Sequence, residues 1–135
     1  PTQDERRESL PTPARSVLAS ARPLGAFLIS FQYEPLGTFW PLAVGANAIG
    51  RAGGQAGLDV AISDATISSA HATLHVERDE LVVGAAIVSA SVEDRGSRNG
   101  TFVNGLRLQP GARTQLRHGD KLKIGGFETT IVLVP

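Results

Sequence analysis

The chain of 135 residues contains no cysteine and no methionine. The missing cysteines exclude disulfides, thiol chemistry and cysteine-ligated zinc, and they fit a reducing compartment, so we expect a cytoplasmic protein. Without methionine, the chain is either processed at its start or part of a longer protein. No run approaches the roughly 18 apolar residues of a membrane-spanning helix, and the polar start is unlike a secretory signal, so we expect no membrane partner.

Opposite charges balance over the whole chain but not along it. The 13 basic and 13 acidic residues give a formal net charge of zero. Residues 59–94 hold seven acids and one base, whereas residues 95–123 hold seven bases and one acid. This asymmetry has two interpretations, solvated strand edges or a basic rim that attracts an acidic ligand. A general nucleic-acid binder is usually basic overall, so we expect no nucleic-acid partner.

The composition changes about 23 residues from the start. Four prolines, several hydroxyl residues and scattered charges predict a flexible tail or linker over residues 1–23 and a domain over residues 24–135. In the domain, short apolar runs rich in Val, Ile, Thr and Phe are separated by turn residues. This pattern predicts an all-β fold, a β-sandwich of about eleven or twelve short strands. The segments expected to form strands are Ala26–Phe31, Thr38–Val44, Ala48–Arg51, Val60–Ser63, Ala72–Glu77, Glu80–Gly84, Ile87–Asp94, Thr101–Val103, Leu106–Gln109, Thr114–Leu116, Lys121–Ile124 and Glu128–Val134.

Two Asn-Gly pairs, at 99–100 and 104–105, flank a very short apolar run. Asn-Gly is the strongest short signal for a tight turn, because both residues tolerate positive φ. The pairs therefore predict closely spaced loops at the edge of the β domain. A turn asparagine such as Asn99 can also pair with an extended peptide backbone, and Arg98 would add positive charge beside a bound anion. The other interpretation of this segment is a plain hairpin turn.

Two further loops carry side chains that can bind an anion. Arg51 follows a predicted strand, and its planar fork of donors matches phosphate oxygens, while Gly50 leaves room for close approach. A surface arginine beside a turn is the alternative. The glycine-rich loop at 53–57 lacks the Gly-Lys-Ser/Thr ending of a nucleotide P-loop. Ser68 can donate its hydroxyl to a phosphate oxygen, and His71 is either a structural residue or a ligand.

No group of residues in the sequence suggests catalysis. Ser68 lies in no Gly-x-Ser-x-Gly elbow, and nothing marks an oxyanion hole, so a serine hydrolase is disfavoured. His71, His75 and His118 lack the spacing of metal ligands on one face. We therefore expect no enzyme activity, no catalytic residue, no metal site and no cofactor.

The order and spacing of these motifs resemble the forkhead-associated (FHA) domain over about residues 26–134. The resemblance implies an eleven-stranded FHA/SMAD-like sandwich that binds phosphothreonine peptides through loops at one end. It also implies that Arg51 and Ser68 hold the phosphate, and that Asn99 hydrogen-bonds the peptide backbone just after the phosphothreonine. The residues expected to shape the loops are Gly50, His71, Gly100 and Asn104. The motifs that carry the resemblance are Gly50-Arg51, Ser68-x-x-His71, the run from Asp94 to Gly105, and Leu116-x-x-Gly119-Asp120-x-Leu122-x-Ile124-Gly125.

Ser69 departs from the family pattern, in which Arg or Lys commonly follows the motif serine. Ser69 can still donate a hydrogen bond, and Arg98 can supply charge from the neighbouring loop. We predict a monomeric module that binds a threonine-phosphorylated protein or peptide, for kinase-dependent signalling or complex assembly. The alternative is a phosphorylation-independent interaction scaffold on the same fold. The predicted phosphothreonine-binding residues are Arg51, Ser68, Ser69, Arg98 and Asn99.

Overall fold

Eleven β-strands form two sheets in a computed structural model that describes residues 22–82 and 84–135. This confirms the predicted all-β sandwich of about eleven short strands. Within the described residues no helix is long and apolar enough to cross a membrane. The strands are β1 Leu24–Ser30, β2 Thr38–Ala43, β3 Gly45–Arg51, β4 Val60–Ile62, β5 Ala72–Val82, β6 Ala85–Asp94, β7 Thr101–Val103, β8 Leu106–Arg107, β9 Arg113–Leu116, β10 Lys121–Ile124 and β11 Phe127–Leu133.

One sheet has six strands in the order β2-β1-β11-β10-β7-β8, and the other has five in the order β4-β3-β5-β6-β9. All of the pairs are antiparallel except β3 with β4, which run parallel. Of the predicted tail, residues 1–21 lie outside the described residues. Arg22 and Pro23 already contact the sandwich, because Arg22 donates to the Ala46 carbonyl at 2.7 Å and the Pro23 carbonyl accepts from Val44.

Alternation of polar and apolar side chains places the core between the sheets. In β10, Leu122 and Ile124 are fully buried, whereas Lys121 and Lys123 point to solvent. Each such buried aliphatic side chain contributes about 1.5–3 kcal/mol of transfer free energy. Both sheets supply the core, whose largest fully buried aliphatic members are Leu28, Leu42, Ile49, Val60, Ile67, Leu74, Val76, Val92, Leu122, Ile124 and Ile131.

The sequence prediction of separate strands at Ala72–Glu77 and Glu80–Gly84 is wrong. The two segments belong to the single strand β5, whose pairing with β6 continues through Asp79 and Ile87 to Val82 and Ala85. The charged residues 77–80 suggested a break in the strand. Main-chain hydrogen bonds do not require apolar side chains, so this exposed end of the β5–β6 hairpin continues through a polar stretch.

The two Asn-Gly pairs form different kinds of turn. Asn104 and Gly105, with φ of 49° and 87°, make the two-residue connection of the β7–β8 hairpin. Gly100 also has positive φ, 87°, but residues 95–100 connect β6 of one sheet to β7 of the other. The segment around Asn99 is therefore a crossing between sheets, and the plain hairpin interpretation does not apply to it.

Asn47 ties the end of β2 to the facing sheet. Its Oδ1 accepts from the Ala43 amide at 3.0 Å, and its Nδ2 donates to the Ala43 and Leu74 carbonyls at 2.8 and 3.2 Å. The residue is 1% exposed, so water cannot replace these bonds. They fix the point where the chain leaves the six-stranded sheet and begins β3, the strand that ends at Arg51.

Asn47→Ala should lower the free energy of unfolding by about 1–3 kcal/mol, because it removes the side-chain partner of the buried amide and carbonyl of Ala43. Urea denaturation of both proteins measures the difference. Ala46→Ser is the matched control on the exposed side of the same strand and should change stability by less than about 0.5 kcal/mol. Equal stability of Asn47→Ala and the native protein would show that the amide does not hold the sheets together.

Candidate anion-binding site

Loops from both sheets meet in a shallow concave surface at one end of the sandwich. The segment between β4 and β5 contributes most of this surface, the residue at the end of β3 adds to it, and the β6–β7 crossing closes it. The structure thus brings together all five residues that the sequence predicts for phosphothreonine binding. The surface is lined by Arg51, Ala65, Thr66, Ile67, Ser68, Ser69, Arg98 and Asn99.

Arg51 is held in place by neutral acceptors. Its backbone amide donates to the Ser68 carbonyl at 3.0 Å, its Nη1 donates to the Ile67 carbonyl at 3.0 Å, and its Nη2 donates to Ser69 Oγ at 3.3 Å. Within the described part of the chain the guanidinium forms no ion pair with a carboxylate. Arginine has five N–H donors, so the two side-chain bonds leave three of them for an anion.

The two adjacent serines have different roles in this geometry. Ser68 Oγ accepts from the Arg98 amide at 3.1 Å, so its hydroxyl proton remains to be donated to an anion. Ser69 Oγ accepts from Arg51, so the serine that replaces the family's usual basic residue contacts the guanidinium directly. The exposed Arg98 side chain lines the same surface, where it can supply the positive charge that Ser69 lacks.

The side-chain nitrogen of Asn99 anchors the residue, and its side-chain oxygen is left to accept a hydrogen bond. Its Nδ2 donates to the Thr66 carbonyl at 2.8 Å. The Oδ1 of Asn99 accepts no hydrogen bond from residues 22–82 or 84–135. An exposed amide oxygen held beside a cation site is suited to accept an N–H from an extended peptide.

Close packing of the loops requires glycine at two positions. A Cβ atom on Gly50 would overlap the Ser69 carbonyl oxygen, so any side chain there would push the β4–β5 loop off β3. Gly100 has φ of 87°, and a Cβ on it would lie 2.6 Å from the Arg107 Nε. Both glycines therefore shape the loops that present the binding groups.

His71 connects the two loops that carry Ser68 and Asn99. The ring is fully buried, its Nδ1 accepts from the Ser68 amide at 3.0 Å, and its Nε2 lies 2.9 Å from the Gly100 carbonyl. This pairing assigns the proton to Nε2, which donates to Gly100. Burial lowers the pKa of His71, although the Gly100 bond and the Asp94 carboxylate oppose the shift, so the imidazole is neutral.

Asp94 organises the crossing segment from the other side. Its Oδ2 accepts from the Gly96 and Ser97 amides at 2.9 and 3.0 Å, and its Oδ1 accepts from the Ser97 and Thr101 hydroxyls at 2.6 and 2.7 Å. Burial alone would raise the pKa of Asp94, but these four hydrogen bonds outweigh it and lower the pKa. The carboxylate is therefore charged, and it fixes the loop that ends in Asn99.

A second carboxylate positions Thr66, a residue that the sequence analysis did not single out. Asp64 accepts from the Thr66 amide at 2.8 Å and from the hydroxyls of Thr66 and Tyr33. The Gly126 amide also donates to the Thr66 hydroxyl, at 2.8 Å. Burial would raise the pKa of Asp64, but the hydrogen bonds from Thr66 and Tyr33 lower it. The Asp-x-Thr spacing at 64–66 was the available signal for this turn.

Asn104 does not line the site. It lies beyond the far end of β7, where its Oδ1 accepts from the Lys121 amide at 2.9 Å and its Nδ2 donates to Asp120 at 3.1 Å. These contacts fix the β7–β8 turn against the start of β10.

Comparison with known protein families matches the FHA domain to residues 47–125, which is more than half of the chain. The chain therefore belongs to the FHA domain family. The match includes every residue that the sequence predicts for the site, from Gly50 to Asn104.

Two curated relatives come from bacteria. The glycogen accumulation regulator GarA of Mycobacterium tuberculosis is 33% identical over 89 residues, which cover 66% of this chain and 48% of GarA. Protein FraH of Nostoc sp. is 39% identical over 59 residues, which cover 44% of this chain and 17% of FraH. The matched stretches span about half of GarA and less than a fifth of FraH.

Solved FHA domains share the fold. The yeast Dun1 FHA domain, studied in complex with a doubly phosphorylated (pT) peptide, has a TM-score of 0.69 and 25% identity. The match covers 83% of this chain and 76% of that one. An FHA domain of Arabidopsis thaliana has a TM-score of 0.63 and 26% identity, with coverage of 84% and 88%.

Stability should fall as the pH drops below about 6.5, because His71 takes up its proton in the unfolded chain before it does so in the folded protein. The slope from this one group reaches up to about 1.4 kcal/mol per pH unit. Urea denaturation across this range measures it. His71→Gln should be less stable and lose this slope, whereas the exposed-site control His118→Gln should keep it. An unchanged slope in His71→Gln would contradict the assignment.

Proposed function

We propose that this domain binds phosphothreonine in a partner protein through the surface formed by Arg51, Ser68, Ser69, Arg98 and Asn99. The observation that carries the proposal is the guanidinium of Arg51, which neutral acceptors hold beside the free hydroxyl proton of Ser68. An arginine bound to a carboxylate would already be neutralised. This one is oriented for an anion that arrives from solvent.

The chemistry of a phosphate group fits this surface. A phosphothreonine carries a charge of about −1.5 to −2 near neutral pH and three acceptor oxygens. The three remaining N–H groups of Arg51 and the hydroxyl of Ser68 are donors of the required kind. Each hydrogen bond to a charged group contributes roughly 1.5–3 kcal/mol. Asn99 would accept from the peptide backbone next to the phosphothreonine, so the phosphate and the main chain are both recognised.

Family membership supports the same function. The Dun1 FHA domain was solved with a phosphothreonine peptide, and this chain shares its fold, with 25% identity over the matched region. GarA is a regulator, which fits a role in kinase-dependent signalling or complex assembly. We place this role in the cytoplasm, where protein kinases and ATP act. Residues 24–135 form the monomeric binding module, Arg22 and Pro23 pack against it, and no chemistry is performed on the partner.

A phosphorylation-independent scaffold is the second candidate. Exposed apolar side chains in and beside the β1–β2 turn favour it, since such groups often mark a protein contact. Phosphatase treatment of a captured partner distinguishes the two functions. Release of the partner supports phosphate recognition, and retention supports the scaffold. The exposed residues are Phe31, Tyr33, Leu36 and Phe39.

Arg51→Ala should weaken binding of a phosphothreonine peptide by roughly tenfold or more, because it removes charge-assisted hydrogen bonds to the phosphate. Calorimetric titration with a phosphothreonine peptide library, followed by the best single peptide, gives the affinities. The matched control is Arg117→Ala, which removes an exposed arginine between β9 and β10 and should leave the affinity nearly unchanged. Equal affinities of Arg51→Ala and the native protein would rule out the assigned site.

A further inference from the structure

The outer face of the six-stranded sheet is apolar over the adjacent strands β2, β1 and β11. In β1, Leu28 is fully buried and points into the core, whereas Phe27 and Ile29 on either side of it point outwards and are partly exposed. Phe31 and Phe39 beside them are 65% and 56% exposed. The strand register, with Phe31 directly after β1, brings together the outward side chains that we call the apolar face: Phe27, Ile29, Phe31, Phe39, Pro41 and Val132.

The outer face of the other sheet has the opposite character. On β5 and β6 the outward side chains are polar, and they pair across the strands as Thr73 with Glu93 and His75 with Ser91. Polar side chains are usual on the solvent face of an antiparallel sheet. A contiguous apolar area on such a face marks a contact with another molecule. The phosphothreonine site does not account for the apolar face.

A groove of about 290 Å³ lies over β11 at the border of the apolar face. Ile29 and Phe31 form its wall on the β1 side. Lys121 forms the opposite wall on β10, and its Nζ donates to Thr130 Oγ1 at 3.0 Å. The groove therefore has one apolar wall and one wall that carries an ammonium group.

The polar wall of the groove has a net positive charge. Lys121 and Lys123 point outwards from β10, and Glu128 on β11 lies opposite Lys123 in the register. Neither lysine forms an ion pair with a carboxylate in residues 22–82 or 84–135. Two cations and one acid leave a net charge of about +1 beside the apolar wall. This arrangement complements an amphipathic segment that has acidic residues along one side of its apolar stripe.

The spacing of the strands fits an α-helix. β1 and β10 lie on either side of β11, so their backbones are about 9.5 Å apart. An α-helix with its side chains is roughly 10–12 Å wide and can lie over β11 between the two walls. Addition of a strand to the free edge of β2 is disfavoured, because Pro41 offers no N–H to a partner strand. A second copy of the chain would bring the same cations to the groove, whereas an acidic helix neutralises them.

We propose that the apolar face docks an amphipathic α-helix of a partner protein. The apolar stripe of the helix packs on Ile29, Phe31 and Phe39, and a row of its acidic residues faces Lys121. This contact needs no phosphate, so it goes beyond phosphothreonine binding and does not rest on it. It gives the phosphorylation-independent candidate a defined surface and a defined occupant.

The probe is a phage-displayed library of helical peptides in which the apolar positions and the flanking charges both vary. The library is selected on the full native chain, and fluorescence anisotropy of the best peptides, made synthetically, gives their affinities. The test variants are Phe31→Ser, Phe39→Thr and Lys121→Glu. The matched control is Ile87→Thr, which removes an apolar side chain of similar exposure, 55%, from the other sheet. Urea denaturation checks that each variant is folded.

Selection should enrich peptides with apolar residues at i, i+3, i+4 and i+7 and with Asp or Glu along one side of that stripe. Phe31→Ser and Phe39→Thr should each weaken binding about tenfold or more, because aromatic anchors carry much of the energy of a contact, and Ile87→Thr should leave it unchanged. Lys121→Glu should weaken binding by about threefold to tenfold. Exchange of the acidic residues of the peptide for lysine should restore the affinity in that variant.

Several results would overturn the inference. It is wrong if no helical peptide is enriched, if the peptides bind Phe31→Ser and Phe39→Thr as tightly as the native chain, or if the acidic flank makes no difference. Loss of peptide binding in Arg51→Ala would place the peptides at the anion site instead. A native dimer that Phe39→Thr dissociates in sedimentation, or binding of the face to phosphatidylglycerol vesicles, would assign the face to a second copy or to lipid. None of these results decides phosphothreonine binding, which the titration of Arg51→Ala tests separately.

Discussion

The binding surface depends on one buried imidazole. His71 accepts from the amide of Ser68 with one nitrogen and donates to the carbonyl of Gly100 with the other, so it holds together the two loops that carry Ser68 and Asn99. Its own position is fixed by its backbone bond to Ile49 on β3. Because the ring is fully buried, water cannot replace either bond, and the loops keep one spacing.

Two carboxylates hold the chain segments around the binding surface. Asp94 arranges the crossing segment that leads to Asn99, and Asp64 arranges the turn whose Thr66 carbonyl holds the Asn99 amide. Both carboxylates have a lowered pKa because several donors stabilise their charged form. Two buried negative charges thus support a surface that carries the cations Arg51 and Arg98. A preorganised site of this kind loses little entropy when it captures a flexible partner segment.

Much of this architecture can be predicted from the sequence. Strand alternation and turn residues indicate an all-β sandwich, and the motif residues Arg51, Ser68 and Asn99 do line one surface. The supporting contacts could not be predicted, because they depend on which loops meet in space. Thr66, for example, is placed by the close approach of its loop to Gly125 and Gly126. The prediction of two separate strands was also wrong at β5. A charged stretch continues that strand, because its backbone pairing needs no apolar side chains.

Capture of a phosphate by Arg51 is the central claim, and the protonation of that phosphate tests it most directly. The second pKa of a free phosphothreonine lies near 6. A guanidinium in contact with the phosphate favours the dianion, so phosphorus NMR of a saturated complex should show the pKa below that of the free peptide. An unchanged or raised pKa in the complex would contradict the account, because the phosphate would then lie away from the cation.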